Sequence, residues 1–343
     1  MTRHTGRLVA ATLGALALAG CSVVGTGGEA DGGGVVTLVT HDSFALSEGL
    51  LESFTAESGY EVRLVAPGDG GALVNQLILT KDSPLGDAVY GIDNSFASRA
   101  VEEGVIDPYV SPAAPAGFDT LDGHLTPVDQ GDVCLNVDHA WFDGKGLAEP
   151  TTFEDLIAPE YRDLTVVTNP ATSSPGLAFL LATIGHFGED GWQEYWRGLL
   201  ANGLKVAEGW SDAYYVDFSG SEGAGPRPIV LSYSSSPAAE VGDDGTPRTG
   251  NVEATCFRQV EYAGVLAGAE NPEGARALVD FLLGDAVQAD IPGSMYMYPV
   301  TDVPLPADWA RHAPLASDPI TLPPASISAN RSAWLEEWAA LLG

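Results

Sequence analysis

The 343-residue chain is poor in positive charge: 15 Lys and Arg stand against 47 Asp and Glu, a formal charge of −32. A surface so acidic repels nucleic-acid phosphates and anionic lipid headgroups, which removes both from the candidate partners. Cysteine is also scarce, at three residues, and none has zinc-ligand spacing. His-Glu-x-x-His and Gly-x-Ser-x-Gly are both absent. The glycine-rich Gly68-Asp69-Gly70-Gly71 lacks the Lys-Ser/Thr pair of a phosphate-binding loop. A hydrolase would have to assemble its triad from scattered residues such as Ser43, Ser173, Asp129, His41, His124 and His186. Beyond the first twenty residues no apolar run reaches membrane-spanning length, and no internal repeat is found.

What is present begins at the N-terminus. Arg3, His4 and Arg7 precede an uncharged run over residues 8–20, which is too short to cross a membrane. It closes on Leu18-Ala19-Gly20-Cys21, so residues 1–20 read as a secretory signal. The cysteine directly after Ala-Gly resembles a bacterial lipoprotein signal. That resemblance implies a lipid on Cys21 and anchorage to the outer face of the cytoplasmic membrane. Removing residues 1–20 takes away Arg3 and Arg7 but no acid, leaving 13 cations against 47 acids and a charge of about −34. Most of these acids read as a solvated coat, while a minority could draw a cation towards a cleft. Cys134 and Cys256 then share an oxidising compartment, which suggests a disulfide; two separately buried thiols are the competing reading.

Residues 21–34, rich in Gly and small residues, read as a flexible tether. A hydrophobic content of 45% over roughly 310 further residues supports one large or two medium domains. Strands are expected at residues 35–40, 61–65, 87–90, 164–168 and 229–233, with extended segments at 128–137 and 256–265. Helices are expected at 48–58, 71–80, around 96–100, from 152, at 174–187, 192–200, 271–283 and 329–342. Alternating strands and helices imply α/β domains with largely parallel sheets. His41-Asp42-Ser43-Phe44, Gly91-Ile92-Asp93-Asn94 and the loops at 169–176 and 231–237 all follow predicted strands. Ligands bind outside the carboxyl ends of strands in open α/β sheets, so these four segments are the candidate site.

Seven blocks in order resemble one family, the thiamine-binding proteins of bacterial ABC importers, within the superfamily of iron and polyamine binders. They are Asp42-Ser43-Phe44, Asp69-Gly70, Gly91-Ile92-Asp93-Asn94, Thr172-Ser173-Ser174-Pro175-Gly176, Gly209-Trp210-Ser211-Asp212-Ala213-Tyr214, Leu231-Ser232-Tyr233-Ser234-Ser235-Ser236-Pro237 and Met297-Tyr298-Pro299-Val300. The resemblance covers residues 35–340 and implies a two-domain, periplasmic-binding-protein-like (type II) fold with a ligand cleft between the domains. Domain 1 would comprise residues 35–130 and 258–300, and domain 2 residues 131–257 and 301–343. The implied ligand is thiamine or a thiamine phosphate, with no cofactor and no metal. The implied partners are a permease and its ATPase, served by a monomer.

The same resemblance assigns roles residue by residue. Aromatic clamps on the flat cation fall at His41, Tyr233 and Tyr296, with Trp210 beside them. A histidine stands where tyrosine is expected, and a tyrosine where tryptophan is expected. Tyr214 is favoured over Tyr215 to face the cleft. Asp69, Gly70, Ser173 and Ser174 suit a phosphate or hydroxyethyl end, because a helix N-terminus offers free N–H groups. Asp42 and Asp93 would pair with the aminopyrimidine or the positive charge. Helix capping competes for Asp42, Asp93, Ser173 and Asp212, and core packing for the aromatics. Another cation on the same fold, a polyamine or ferric iron bound by paired tyrosines, remains an alternative, and a surface hydrolase a distant one.

Overall fold

The computed structural model describes residues 33–343 apart from Gly223; the signal over 1–20, Cys21 and most of the tether lie outside the described residues. Among the described residues ten strands form one sheet. They are β1 (Val35–Thr40), β2 (Glu61–Val65), β3 (Ala88–Asp93), β4 (Ile106–Asp107), β5 (Thr126–Asp138), β6 (Thr165–Thr168), β7 (Lys205–Ala207), β8 (Ile229–Tyr233), β9 (Thr249–Leu266) and β10 (Tyr298–Pro299). The order is β2-β1-β3-β9-β5-β8-β6-β7, with β10 added to β5 and β4 to β9. β1 pairs parallel with β2 and β3, and β6 parallel with β7 and β8. Between these parallel halves run β9 and β5, antiparallel to each other and to the strand beside each. This is a type II periplasmic-binding-protein architecture.

The two long strands are the expected extended segments, and both run further than expected. β5 is buried on both faces, with Val133, Leu135 and Val137 on one and Asp132, Cys134 and Asn136 on the other, as in a strand covered on both sides. Their pairing shifts register between Pro127 and Asp129 and again between Val133 and Leu135. Such bulges bend a strand and raise its twist. At the second shift Cys134 and Cys256 form a disulfide, with Cα atoms 4.2 Å apart.

Each half packs helices on its sheet. Ser174–Phe187 is buried along its first eleven residues and forms a central rod, capped by the Ser173 side chain. Trp192–Ala201 lies over it, and Trp196 Nε1 donates to Thr183 Oγ1 at 3.0 Å. The last helix begins at Pro324 rather than at residue 329 and continues to Leu342. It touches both halves: Arg331 Nη1 donates to the Ser95 carbonyl at 3.2 Å, and Trp338 meets Trp196 edge-on at 5.7 Å. Burying each such ring contributes about 2–3 kcal/mol. The helix expected from residue 152 is instead a short 3₁₀ turn, Glu154–Ile157. There the Asp155 carboxylate accepts from the backbone N–H groups of Thr151 and Thr152, tightening the turn.

The disulfide closes a sequence separation of 122 residues. Loops of that size lose much of their unfolded-state freedom when cross-linked. Replacing Cys134 and Cys256 by serine is expected to lower the unfolding free energy by about 2–5 kcal/mol in a urea titration. Reduction should raise the intact mass by two hydrogens; two free thiols before reductant would contradict the bond.

Candidate functional site

β1 ends at Thr40 and delivers His41 into the space between the halves, where β8 ends on Tyr233 from the other side. Both residues line one cavity of about 420 Å³. His41 fits because Gly91 stands in the bulge of β3 at φ +90°, and an added Cβ there would collide with the imidazole. The ring lies 5.7 Å from Tyr90, its Nδ1 is 3.0 Å from Ser43 Oγ, and its Nε2 is 3.6 Å from Glu261 Oε2. Burial alone would push the imidazole pKa down. The Glu261 charge, with Asp69 and Asp42 behind it, outweighs burial and raises it above 6.5.

Glu261 is buried on β9 and received no attention in the sequence. Its Oε1 accepts from Gln259 Nε2 at 2.9 Å, whereas Oε2 has no hydrogen-bond partner among the described residues. Deeper in the floor Tyr90 donates its hydroxyl to Asp129, whose pKa burial and the Glu261 charge push well above the usual carboxylate range. Asp93 is also buried: its Oδ1 accepts from Ser95 and Phe96 N–H, and burial raises its pKa.

The remaining walls are aromatic. Trp210, Tyr215, Tyr233 and Tyr296 line the cavity, and Phe44 lies against Tyr90 at 5.1 Å. Trp210 is fixed at both ends, its backbone N–H donating to Asp69 Oδ2 at 2.9 Å and its Nε1 to Ser232 Oγ at 2.8 Å. Tyr296 takes a left-handed conformation, φ +55°, where the helix Asp285–Met295 stops, and its carbonyl accepts from Ser235. Of the two adjacent tyrosines, Tyr214 lines a smaller cavity that adjoins the main one. A π-helical turn over Ala213–Asp217 rotates it behind Trp210, where the rings stack at 5.0 Å and its hydroxyl donates to Glu240. Tyr215 faces the main cavity instead.

Two smaller cavities adjoin this one. That of about 170 Å³ lies behind Trp210 and Tyr215 and contains the Glu240–Arg248 ion pair, 3.0 Å apart. The other, of about 230 Å³, shares Asp42 and Ser211 with the main cavity and is lined further by Asp69, Glu208 and Asp212. Burial and the Asp69 charge raise the Asp42 pKa. Asp212 is exposed and makes no cap, because its turn starts from Gly209; it faces this acidic space.

Asp69 organises the acidic end. Its carboxylate accepts backbone N–H bonds from Gly70 at 2.6 Å, Ser174 at 3.1 Å and Trp210 at 2.9 Å. A protein carboxylate thus holds the helix N-terminal N–H groups that the sequence offered to a phosphate. Gly70, Asp93, Ser173 and Ser174 stand outside the walls of these three cavities. Gly70 packs so closely on Ser174 that a Cβ would meet its Oγ, and Ser173 is spent on the cap and on Thr168. Among the described residues no group of three or more His, Cys, Asp or Glu converges to hold a metal ion.

The cavity can enclose a flat, positively charged molecule: π faces on the walls, carboxylates below and to one side. The family of bacterial extracellular solute-binding proteins matches residues 83–316. The thiamine-binding periplasmic protein of Escherichia coli (strain K12) is 30% identical over 314 residues, covering 89% of this chain and 92% of that protein. The protein of the same name from Brucella suis biovar 1 (strain 1330) is 30% identical over 338 residues, covering 93% and 95%. A solved periplasmic thiamin binding protein has a TM-score of 0.80 at 28% identity, over 90% of this chain and 96% of that one. The chain belongs to the family of bacterial extracellular solute-binding proteins. These are binding proteins and not enzymes, so Ser43, His41 and Glu261 are read as parts of a binding site.

Asp69 supplies a direct check on this geometry. Asp69→Ala strands three buried N–H groups and is expected to cost about 2–4 kcal/mol in urea unfolding. Asp212→Ala, at an exposed position, should stay within about 0.5 kcal/mol of the parent.

Proposed function

We propose that the protein is the extracytoplasmic receptor of an ABC importer, binding thiamine in the 420 Å³ cavity and passing it to a permease. One observation carries this reading: a chain 30% identical over nine-tenths of its length to thiamine-binding periplasmic proteins closes aromatic faces and carboxylates around one cavity. Each aromatic face attracts a cationic ring by about 0.5–2 kcal/mol, and the carboxylates offset its fixed charge. Tyr233 and Tyr296 act as clamps with Trp210 and Tyr215, His41 forms the floor, and Asp42 with Asp69 marks the acidic end. Thiamine phosphates belong to the proposal on one condition: Asp69 must release the N–H groups of Ser174 and Trp210 to the ester.

In this reading the protein is a monomer tethered through lipid on Cys21. Its domains divide at residues 130/131 and 257/258, within β5 and β9, and again at 300/301, and close over the ligand. Closure is the state that the permease recognises, and ligand shifts the population towards it.

Tryptophan fluorescence titrated with thiamine, and separately with its phosphates, tests the proposal. Saturable submicromolar quenching that is lost in Trp210→Ala is expected; no response at millimolar thiamine would reject it. The pH dependence has a fixed sign. His41 titrates above 6.5 and faces Glu261, Tyr90, Asp42 and Asp69. Above its pKa the neutral ring leaves the Glu261 charge to the ligand; below it the imidazolium opposes a cation. Affinity for thiamine should therefore fall as pH drops from about 8 through the His41 pKa. His41→Gln should flatten that profile.

A further inference from the structure

Two buried atoms at the cavity floor lack partners among the described residues, and they are of opposite type. Glu261 Oε2 is an acceptor; His41 Nε2 lies 3.6 Å from it, beyond a good hydrogen bond. Their other atoms are already engaged. Gln259 donates to Glu261 Oε1 at 2.9 Å, and Ser43 Oγ lies 3.0 Å from His41 Nδ1. When Ser43 donates to Nδ1, the neutral imidazole carries its proton on Nε2, on the side of Glu261 Oε2. Buried donors and acceptors left unpaired cost free energy, so such a pair is matched by a molecule that presents an acceptor next to a donor.

Resting on the thiamine reading above, we propose that His41 and Glu261 read the hydrogen-bonding edge of the aminopyrimidine. The Glu261 carboxylate accepts from the exocyclic amino group, and His41 Nε2–H donates to the adjacent ring nitrogen. The thiazolium has no N–H to satisfy Glu261, and as a cation it gains more from the faces of Trp210, Tyr215 and Tyr296. The pyrimidine therefore sits at the floor, the charged ring among the aromatics, and the hydroxyethyl arm points to the acidic space beside Asp42. Glu261 becomes a specificity-determining residue, with Gln259 positioning it.

The test uses the purified full-length chain and two ligands: thiamine, and its analogue in which a carbonyl replaces the amino group. That replacement turns the amino donor into an acceptor and the ring nitrogen into an N–H donor, so the edge is reversed. Calorimetry should show the parent protein favouring thiamine by about 10²-fold or more, as sites built on buried hydrogen bonds discriminate. Glu261→Gln, whose amide can donate to the carbonyl, should reduce that ratio to about tenfold or less while the unfolding midpoint reports an intact fold. Equal affinity of the parent for both ligands would overturn the inference and leave the thiamine reading standing. So would a loss in Glu261→Gln that is the same for both ligands. No thiamine binding by the parent would overturn both readings together. Should Glu261→Gln fail to fold, the parent's ratio alone decides.

Discussion

The antiparallel pairing of β5 with β9 is the constraint on which the other elements depend. Both strands pass through the middle of the sheet, and every other strand reaches one of them directly or through one or two intervening strands. Their backbone hydrogen bonds hold a β1–β3 half on one side and a β6–β8 half on the other. Because the strands bend at two register shifts, residues from opposite halves share the walls of one space. His41 and Trp210 are 169 positions apart in the chain, yet they line the same cavity. The disulfide lies at one of those bends and ties the two strands where they would otherwise be freest to shear.

Electrostatics in the site differ in kind from those of the acidic surface. Exposed carboxylates are screened by water and salt, and each contributes little. Around the cavity Asp69, Asp129 and Glu261 are held in fixed places by backbone N–H groups or by neighbouring side chains. Asp69 is neutralised in part by three N–H dipoles, and Asp129 is pushed towards its protonated form. Arg248, the cation at the rim, is paired with Glu240 behind the aromatic wall. The space itself is thus electronegative without carrying the full charge of its carboxylates.

Much of this was legible in the residues. The strands at 61–65 and 229–233 have their expected ends, because apolar alternation and bounding glycines or prolines mark both. Aromatics set among Gly, Ser and Asp pointed to Trp210 and Tyr233, which do line the cavity. Choosing between Tyr214 and Tyr215 needed the π-helical turn, whose extra residue per turn rotates the side chains and leaves no composition signal. Glu261 did leave one. Phe257, Gln259 and Glu261 alternate on the buried face of β9, while Arg258 and Val260 are only partly buried. A polar pair on the apolar phase of a strand marks a buried site, and helix-centred motif reading passes over it. The phosphate expectation shows a different limit: spacing locates a helix N-terminus, but whether a carboxylate already fills it depends on a side-chain rotamer.

The same central pairing sets an order of events on the way to the folded state. β3 forms its native edge with β9, whose pairing residues Glu261–Val265 are made some 170 positions later in the chain. Until they arrive, the first three strands have a core-facing edge with unpaired backbone groups. Folding of the N-terminal half must therefore wait for chain far beyond it, and contacts of such long range are slow to form. The discontinuous path that brings two halves around one ligand thus also ties completion of the N-terminal half to chain made late in synthesis.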